Sequence, residues 1–274
     1  MPELHKYSGA GNDFVVLDGR SEDVSAFRTP KRIAELCDRK TGFVAANGWT
    51  GADGLMILTD GGGEYDFRME FYNPDGSGGM MCGNGGRCIA AFADALGLKP
   101  RDGGVFRFLA ADGPHTAEIL SRAGIRKTVR LRMIDVQTFH PALDGWFVDT
   151  GTRHFVRFVP DADKVDVEEE GPRVRWNPVF APVGANANFV SVDPDGTLRV
   201  RTFEKGVEAE TLACGTGITA SAIAAFLSSP FSRLTGTPLH FDIQARIDRL
   251  SVDFLPVENY FTDVYLTGPA DEIR

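Results

Sequence analysis

Residues 71–93, FYNPDGSGGMMCGNGGRCIAAFA, recur in altered form as residues 203–225, FEKGVEAETLACGTGITASAIAA. One offset relates two phenylalanines, 203 − 71 = 132, and two cysteines, 214 − 82 = 132, as well as two pairs of glycines. Each copy predicts a strand, a polar loop, the pattern Cys-Gly-x-Gly and an alanine-rich helix that is apolar on nearly all sides. Such a helix is buried, so the repeat favours two related α/β halves with strands around a central helix.

The rest of the chain is rich in strand signals. Helices are predicted at 30–40, at 86–97 with Gly97 as the stop, and at 217–229. The predicted strands are 14–18, 55–58, 67–73, 105–110, 129–134, 146–150, 154–159, 188–193, 198–204 and 263–268. The acidic stretch 161–170 predicts a solvated turn or helix. A second similarity, at a different offset, relates FVVLD at 14 to FVSVD at 189.

Composition excludes several classes of function. The 274 residues carry a formal charge of −9, which argues against nucleic-acid binding. We find no apolar run near the ~18 residues that span a bilayer, and no signal-peptide pattern, so no membrane partner and a cytoplasmic location are expected. The four cysteines form no CxxC pair and the five histidines show no metal-ligand spacing, so neither a metal site nor a disulfide is expected.

The repeated cysteines suggest acid–base chemistry. Cys82 and Cys214 each directly precede a predicted buried helix, where N–H groups and the helix dipole stabilise a thiolate. The same N–H groups can hold a carboxylate. If both cysteines flank one substrate, one removes a proton from a carbon atom while the other delivers a proton to the opposite face. A duplicated domain whose cysteines are only small buried residues is the alternative.

Six motifs support a family resemblance. They are KYSGAGNDFVVLD (6–18), GADGL (51–55), YNPDGSGGMMCGNGGRC (72–88), TGTRHFV (150–156), GANANFV (184–190) and FEKGVEAETLACGTG (203–217). With these motifs the sequence resembles the diaminopimelate epimerase family over nearly its whole length. The resemblance implies an isomerase that converts LL- to meso-diaminopimelate in lysine and peptidoglycan-precursor synthesis, without pyridoxal phosphate or any other cofactor, and a homodimer.

The resemblance also implies a fold and a site. The fold is of the α/β (α+β) class, with two pseudo-symmetric domains, each a strand-rich barrel-like sheet around a central helix. The first domain, 1–125, carries Cys82 and is joined by a C-terminal strand at about 263–274, and the second, 126–262, carries Cys214. The two cysteines are the implied catalytic pair, and His154 and Glu204 the residues that tune their pKa values. The implied substrate-binding residues are Asn12, Asn73, Gly83, Asn84, Thr152, Asn186, Glu204, Lys205, Gly215 and Thr216.

Three departures from the family pattern place the substrate in question. Lys205 stands where the family usually has an arginine for the distal end of the substrate, and lysine cannot make the same bidentate contact. Thr152 and Arg153 replace Asn/Ser-Pro, and residues 42–50 look longer than the usual turn. We hypothesise that Arg153 takes over part of the missing guanidinium's role.

Of four other functions, the sequence leaves two open and argues against two. The same cysteine pair is compatible with a racemase or epimerase of another amino acid, similar to proline racemases. A non-catalytic small-ligand-binding relative is a second alternative. The glycine-rich CGNGGR suggests a nucleotide-binding loop, but it does not directly follow a strand in a βαβ unit. The absence of CxxC disfavours a thiol oxidoreductase.

Overall fold

The computed structural model describes residues 2–79 and 82–274, so Met80 and Met81 of the first cysteine motif lie outside the described residues. The chain divides into two compact units. Unit 1 comprises Met1–Leu131 and Gly268–Arg274, and unit 2 comprises Arg132–Thr267.

Unit 1 alternates strands with two helices. Its elements are β1 (His5–Gly9), β2 (Asn12–Asp18), a 3-10 turn (Ser25–Arg28), α1 (Pro30–Cys37), β3 (Leu55–Thr59), β4 (Phe67–Tyr72), α2 (Gly83–Ala95), β5 (Val105–Ala110), β6 (Gly113–Ala123) and β7 (Arg126–Arg132). Neighbouring strands pair in chain order from β1 to β7, with β2–β3 and β4–β5 parallel and the other pairs antiparallel. The chain's last strand pairs with both β7 and β1, so the strands of unit 1 form a closed ring.

The two helices of unit 1 pack against different faces of this ring. Every residue of α2 from Gly83 to Ala93 is buried, and the helix contacts β1, β2, β3 and β6. Gly97 follows its C-cap with φ of 77°, which confirms the predicted glycine stop. α1 begins at Pro30 under a Thr29 cap and packs Ile33, Leu36 and Cys37 into a separate core. The ring therefore has one helix inside and one outside.

Unit 2 repeats this order of elements with two additional strands, the first and the sixth in its own chain order, and with one additional 3-10 turn. Its elements are β8 (Thr138–Ala142), β9 (Gly145–Asp149), β10 (Arg153–Phe158), a 3-10 turn (Ala162–Lys164), α3 (Val167–Arg175), a 3-10 turn (Pro178–Phe180), β11 (Asn186–Val192), β12 (Leu198–Glu204), β13 (Ala209–Thr211), α4 (Gly215–Ser228), β14 (Leu239–Gln244), β15 (Arg249–Val257) and β16 (Tyr260–Glu272). The extra strand β13 forms a short hairpin with β12. The end of β16 from Gly268 onward belongs to unit 1.

The strand directions of unit 2 repeat those of unit 1. β10–β11 and β12–β14 are parallel, whereas β8–β9, β9–β10, β11–β12, β14–β15 and β15–β16 are antiparallel. A bridge between Val136 and Phe261 connects the segment before β8 to β16. α4 is buried against β9, β10, β11, β12, β14 and β15, and α3 packs on the other face with Phe155 and Phe189. The predicted fold class, an α/β chain with barrel-like sheets around central helices, is confirmed.

The turn or helix predicted at 161–170 agrees with the structure, which has a 3-10 turn at Ala162–Lys164 and begins α3 at Val167, although Pro172 lies inside that helix. Two sequence-based expectations need correction. Strands β1, β6, β8, β13, β14 and β15 are not predicted, because several of them carry polar residues on one face and offer only short apolar runs. The similarity between 14 and 189 does not relate equivalent strands, since Phe14 lies on β2, whose counterpart by strand order is β10.

Among the described residues, no helix has the length and apolar character needed to cross a bilayer.

Candidate active site

Cys82 is the N-cap residue of the buried helix α2. Its Sγ accepts a hydrogen bond of 3.2 Å from the backbone N–H of Gly85. Three glycines in the first turn leave the backbone N–H groups uncovered by side chains, since no Cβ atoms shield them. A sulfur at this place receives the positive end of the helix dipole, which favours the thiolate. The structure thus places Cys82 where a thiolate is stabilised.

Asparagines connect this helix end to the β1–β2 turn. Ala10 and Gly11 form the turn with φ of 55° and 103°, which is the geometry of a two-residue hairpin and puts Asn12 at the start of β2. Asn84 Nδ2 donates to Asn12 Oδ1 over 2.6 Å, and Asn12 Nδ2 donates to Asp53 Oδ2 over 3.0 Å. The structure therefore brings Asn12, Asn84 and Cys82 together in unit 1.

Asn73 lies in the turn after β4. Its Nδ2 donates to Ser77 Oγ over 3.0 Å, and its backbone N–H donates to the Ser77 carbonyl over 2.9 Å. These contacts fix the polar loop that leads from β4 towards the first cysteine motif. Asn73 is half-buried, so one side of its amide group stays accessible to a small molecule.

Behind Asn12, unit 1 contains a network of charges in which Lys6 and Asp13 are buried and Arg39 and Asp53 are partly exposed. Lys6 Nζ lies 2.7 Å from Asp13 Oδ2 and 2.5 Å from the Gly51 carbonyl, with the lysine side chain fully buried. Arg39 Nη2 lies 2.7 Å from Asp13 Oδ1 and also binds Asp53. Asp53 in turn accepts the hydrogen bond from Asn12. The network holds the Asn12 turn in place from below.

The unusually long segment 42–50 folds into a small hairpin beside this turn. Val44 bridges to Thr50, and the Ala45 N–H donates to the Trp49 carbonyl over 3.0 Å. Together with Gly11, Asp13 and Arg39, the hairpin's Gly48, Trp49 and Thr50 line a surface cavity of about 400 Å³. The departure from the family pattern therefore lies next to an expected substrate-binding residue.

In unit 2, Cys214 is the N-cap residue of the buried helix α4. The side chain is 6% exposed, and its Sγ lies 3.4 Å from Thr216 Oγ1. Gly215 and Gly217 give this helix the same open first turn as α2. Thr150 Oγ1 donates to the Thr216 carbonyl over 3.1 Å, so the β9–β10 turn is bound to the helix end.

His154 lies behind Thr216 and is fully buried. Its Nε2 is 2.9 Å from Thr152 Oγ1 and 3.0 Å from Thr216 Oγ1. Its Nδ1 is 3.1 Å from Asn188 Nδ2. Burial lowers the pKa of His154 to about 3, so the imidazole is neutral at physiological pH. A neutral imidazole carries no charge that could stabilise a thiolate, and a hydrogen-bond path through Thr216 connects His154 to Cys214.

The remaining predicted residues of unit 2 meet where β11 begins and β12 ends. Asn186 Oδ1 accepts from the Lys205 backbone N–H over 2.6 Å, and Asn186 Nδ2 donates to the Arg153 carbonyl over 3.1 Å. Glu204 is half-buried at the end of β12, and the Lys205 side chain is exposed. Asn186 therefore fixes the backbone of the loop that carries Glu204 and Lys205.

Arg153 does not take the role that we hypothesised for it. Its guanidinium lies 5.3 Å from the centre of the Phe147 ring and donates to the Phe180 carbonyl over 3.3 Å. Because side chains alternate along a strand, His154 faces α4 and Arg153 faces the α3 side. The hypothesis is wrong for this conformation, since the guanidinium is committed to the outer core.

Three further residues in the site were missed from the sequence: Asp53, Thr150 and Asn188. A signal for Asp53 exists, because GAD at 51–53 and GAN at 184–186 are related by 184 − 51 = 133, which pairs Asp53 with Asn186. No local signal marks Asn188, because its function depends on the register of β10 against β11.

The comparisons with known proteins agree with this geometry. A family model described as Diaminopimelate epimerase matches residues 4–124 and 146–236. The chain belongs to the diaminopimelate epimerase family. It is 38% identical to a diaminopimelate epimerase of Chlorobaculum tepidum, with 96% of each chain covered. It is 36% identical to that of Flavobacterium psychrophilum, with 98% of this chain and 97% of the relative covered. The family resemblance predicted from the motifs is confirmed.

Solved structures of lower identity share the fold. A phenazine biosynthesis protein of the PhzF family from Bacillus anthracis has a TM-score of 0.72 at 14% identity, with 99% of this chain and 96% of the other covered. A hydroxyproline epimerase from Agrobacterium vitis has a TM-score of 0.65 at 15% identity, with 99% and 89% covered. The chain therefore shares its fold with proteins of several descriptions.

We expect the buried neutral His154 to make the protein acid-sensitive. The unfolded imidazole takes up a proton near pH 6.5, whereas the native one stays neutral until about pH 3. Between these values the unfolded state binds more protons, so the free energy of unfolding falls as pH falls, by up to about 1.4 kcal/mol per pH unit. Urea unfolding at several pH values should show this slope in the wild type and a smaller one in His154→Gln. Equal slopes would contradict the assignment.

We expect the first turns of α2 and α4 to differ in how much stability they lose when a glycine gains a methyl group. A Cβ at Gly217 would lie 2.4 Å from Asn188 Oδ1 and 3.2 Å from His154 Cε1, whereas a Cβ at Gly85 would lie 3.3 Å from Cys82 Sγ. Gly217→Ala should therefore lower the free energy of unfolding by about 1–3 kcal/mol. The matched Gly85→Ala should cost less, because helix propensity offsets the contact by up to about 1 kcal/mol. Urea denaturation of both variants tests the order, and equal losses would refute it.

Proposed function

We propose that the protein converts LL-diaminopimelate to meso-diaminopimelate, with Cys82 and Cys214 as the pair that moves the α-proton. The observation that carries the proposal is the duplicated helix end. In each unit, a cysteine caps a buried helix whose first turn is rich in glycine. Family membership over nearly the whole chain supports the substrate, because the curated relatives are diaminopimelate epimerases.

The proposed chemistry balances without a cofactor. One cysteine, as thiolate, takes the α-proton, so a C–H bond breaks and an S–H bond forms. The other cysteine, as thiol, gives its proton to the opposite face of the same carbon, so an S–H bond breaks and a C–H bond forms. The reverse reaction uses the same groups in exchanged roles. Configuration is inverted and one thiolate remains at the end.

The helix ends have a second role in this proposal. As the proton leaves, negative charge spreads from the α-carbon into the substrate carboxylate. The backbone N–H groups of Gly83 with Asn84, and of Gly215 with Thr216, are fixed donors for that carboxylate. Donors that are already oriented stabilise the transition state without reorganisation.

The polar residues around each cysteine would hold the rest of the substrate. In unit 1 these are Asn12 and Asn73, and in unit 2 they are Thr152, Asn186, Glu204 and Lys205. Support comes from their placement. Asn12 is bonded to Asn84, and Asn186 fixes the Lys205 backbone. Half-buried Glu204 is suited to a substrate ammonium group, and the exposed Lys205 ammonium to the distal carboxylate.

One specific feature favours a second candidate, a racemase or epimerase of another amino acid. Lys205 offers a point charge in place of the family's bidentate guanidinium. In addition, the 42–50 hairpin lines a cavity beside Asn12. Both changes concern recognition rather than proton transfer, so the cysteine pair would serve either substrate.

The test is solvent-deuterium incorporation. LL-diaminopimelate incubated with the reduced protein in deuterium oxide should gain one α-deuterium and convert to the meso isomer, as followed by NMR and mass spectrometry. Absence of exchange with diaminopimelate, but exchange with another amino acid, would favour the second candidate. Absence of exchange with every amino acid would sink both.

We also propose that the protein works in the cytoplasm as a homodimer. The support is membership in a family whose matched relatives come from bacteria. Light scattering on the purified protein should give twice the chain mass, and a monomeric mass would refute the dimer.

A further inference from the structure

The environment of His154 determines which of its two nitrogens carries the proton. The ring is fully buried on β10, between the hydroxyls of Thr152 and Thr216 on one side and the amide of Asn188 on the other. The two sides differ in the hydrogen bonds that they can form with the ring nitrogens. The hydroxyls can donate or accept, whereas an amide group has one donating and one accepting end. The orientation of Asn188 is therefore decisive.

A backbone carbonyl fixes that orientation. Asn188 Nδ2 lies 3.0 Å from the carbonyl oxygen of Phe155, and Oδ1 lies 2.9 Å from Thr202 Oγ1. A carbonyl oxygen only accepts, so the group that faces Phe155 must be the NH2. The same NH2 faces His154 Nδ1 at 3.1 Å. Because the amide donates there, Nδ1 must accept and cannot carry a proton.

The imidazole proton is then on Nε2. A neutral ring has one N–H, and the doubly protonated ring would place an N–H of Nδ1 against the NH2 of Asn188. The pKa of His154, which burial lowers to about 3, agrees with a neutral ring. Nε2–H points to Thr152 and Thr216, at 2.9 Å and 3.0 Å. The NH2 of Asn186, which donates to the Arg153 carbonyl over 3.1 Å, also faces Nε2, but at the longer distance of 3.5 Å.

Thr152 and Thr216 connect the imidazole N–H to the sulfur of Cys214 through hydrogen bonds. Their hydroxyl oxygens are 3.0 Å apart, so Thr216 Oγ1 accepts a hydrogen bond either from His154 Nε2 or from Thr152. Its own hydroxyl proton is then available to Cys214 Sγ at 3.4 Å. A hydrogen bond donated to the sulfur stabilises the thiolate over the thiol.

We propose that Asn188 is a positioning residue that fixes the Nε2–H form of His154 and so directs the Thr216 hydroxyl proton to Cys214. The contacts of Asn188 are with the ring nitrogen Nδ1, the Phe155 carbonyl and the Thr202 hydroxyl. Asn188 therefore acts through the ring and Thr216. The inference deepens the proposed function and rests on it for the catalytic role of Cys214, but its hydrogen-bond direction is measurable without any substrate.

The first measurement is the protonation state of the ring. Long-range ¹H–¹⁵N correlation spectra of the labelled protein should show a protonated Nε2 and an unprotonated Nδ1 for His154 at neutral pH. In Asn188→Asp the carboxylate accepts from the ring, so the proton should move to Nδ1. A wild-type spectrum with the proton on Nδ1 would overturn the proposal.

The second measurement is the reactivity of the two cysteines in one sample. Iodoacetamide alkylation, quantified for each cysteine by mass spectrometry across a pH series, reports the thiolate fraction of each site. In Asn188→Asp, Nε2 becomes an acceptor and draws the Thr216 proton away from the sulfur. Alkylation of Cys214 at neutral pH should slow by about tenfold, the effect of about one pKa unit. Cys82, in unit 1, should be unchanged.

Control variants separate the effect on hydrogen-bond direction from a general disturbance of the buried pocket. Thr202→Val disturbs the same buried pocket but leaves the Phe155 carbonyl to hold Asn188, so Nε2–H and Cys214 reactivity should persist. If Asn188→Asp does not fold, Thr216→Val removes only the last step and should slow Cys214 alkylation, with recovery in Thr216→Ser. Equal slowing of Cys82 and Cys214, or none at Cys214, would overturn the proposal. The expected alkylation pattern combined with no deuterium exchange would instead refute only the proposed function.

Discussion

We expect Cys82→Ala and Cys214→Ala each to lower kcat for epimerisation by about 10³-fold, the size of the contribution of one positioned acid or base. In the proposed reaction each sulfur is needed in both directions, once as base and once as acid. Removal of either one therefore stops inversion in both directions. The measurement is the rate of meso-diaminopimelate formation by the reduced variants, with folding checked by circular dichroism.

Deuterium exchange separates this reaction from a one-base mechanism. In Cys82→Ala the remaining thiolate of Cys214 can still remove the proton that points to it and return a deuteron to the same face. Each single variant should therefore exchange the α-hydrogen of only one stereoisomer, without inversion, and the two variants should prefer opposite isomers. Exchange of the same isomer by both variants would contradict the paired roles.

Cys37 provides the matched control. Burial raises the pKa of its thiol to about 11, so it stays a protonated, apolar side chain at the end of α1, packed into the core that this helix forms. Cys37→Ala should therefore keep kcat close to the wild-type value while lowering stability slightly. If its loss of activity equalled that of Cys82→Ala, the assignment of the cysteine pair would fail.

The site motifs could be located from sequence because their chemistry is local. A cysteine followed by glycine-rich sequence and an alanine-rich run predicts a capped, buried helix without knowledge of the rest of the chain. The structure places Cys82 and Cys214 as such caps. The Ala-rich pattern also indicated burial correctly, since even Arg87 within α2 is completely buried and donates to Asn84 Oδ1 over 2.9 Å.

Residues whose role depends on strand register could not be predicted. Asn188 acts on His154 because β10 and β11 pair in parallel, with His154 opposite Asn186 and Val156 opposite Asn188. About thirty residues, including α3, separate the two strands, and no local pattern fixes their register. The same limit explains the error over Arg153, since only the observed strand shows which of two adjacent side chains faces α4.

The burial of the charge network under Asn12 is another feature that could not be predicted from the sequence. Lys6 and Asp13 belong to one motif, but the sequence does not say that both are buried. In the structure the Lys6 side chain is fully buried, and Asp13 contacts both Lys6 and Arg39. Two buried charges of opposite sign compensate each other, whereas one left alone bears the full cost of lost hydration.

Asp13→Asn should therefore lower the free energy of unfolding by about 3–5 kcal/mol, because it keeps the shape but leaves the Lys6 ammonium without its carboxylate. Urea denaturation measures the loss. The matched control is Asp18→Asn, which breaks a partly exposed pair with Arg20 at 2.6 Å and should cost no more than about 1 kcal/mol.

A second variant shows whether the uncompensated charge is the cause. Adding Lys6→Met to Asp13→Asn removes the buried ammonium, and part of the lost stability should return, since apolar replacements of buried ion pairs are often tolerated. Without recovery, the cost would come from the hydrogen bonds of Asp13 to Arg39 instead. A loss for Asp13→Asn no greater than for Asp18→Asn would show that Asp13 does not support the Asn12 turn, because Asp53 and Arg39 would then hold it without Asp13.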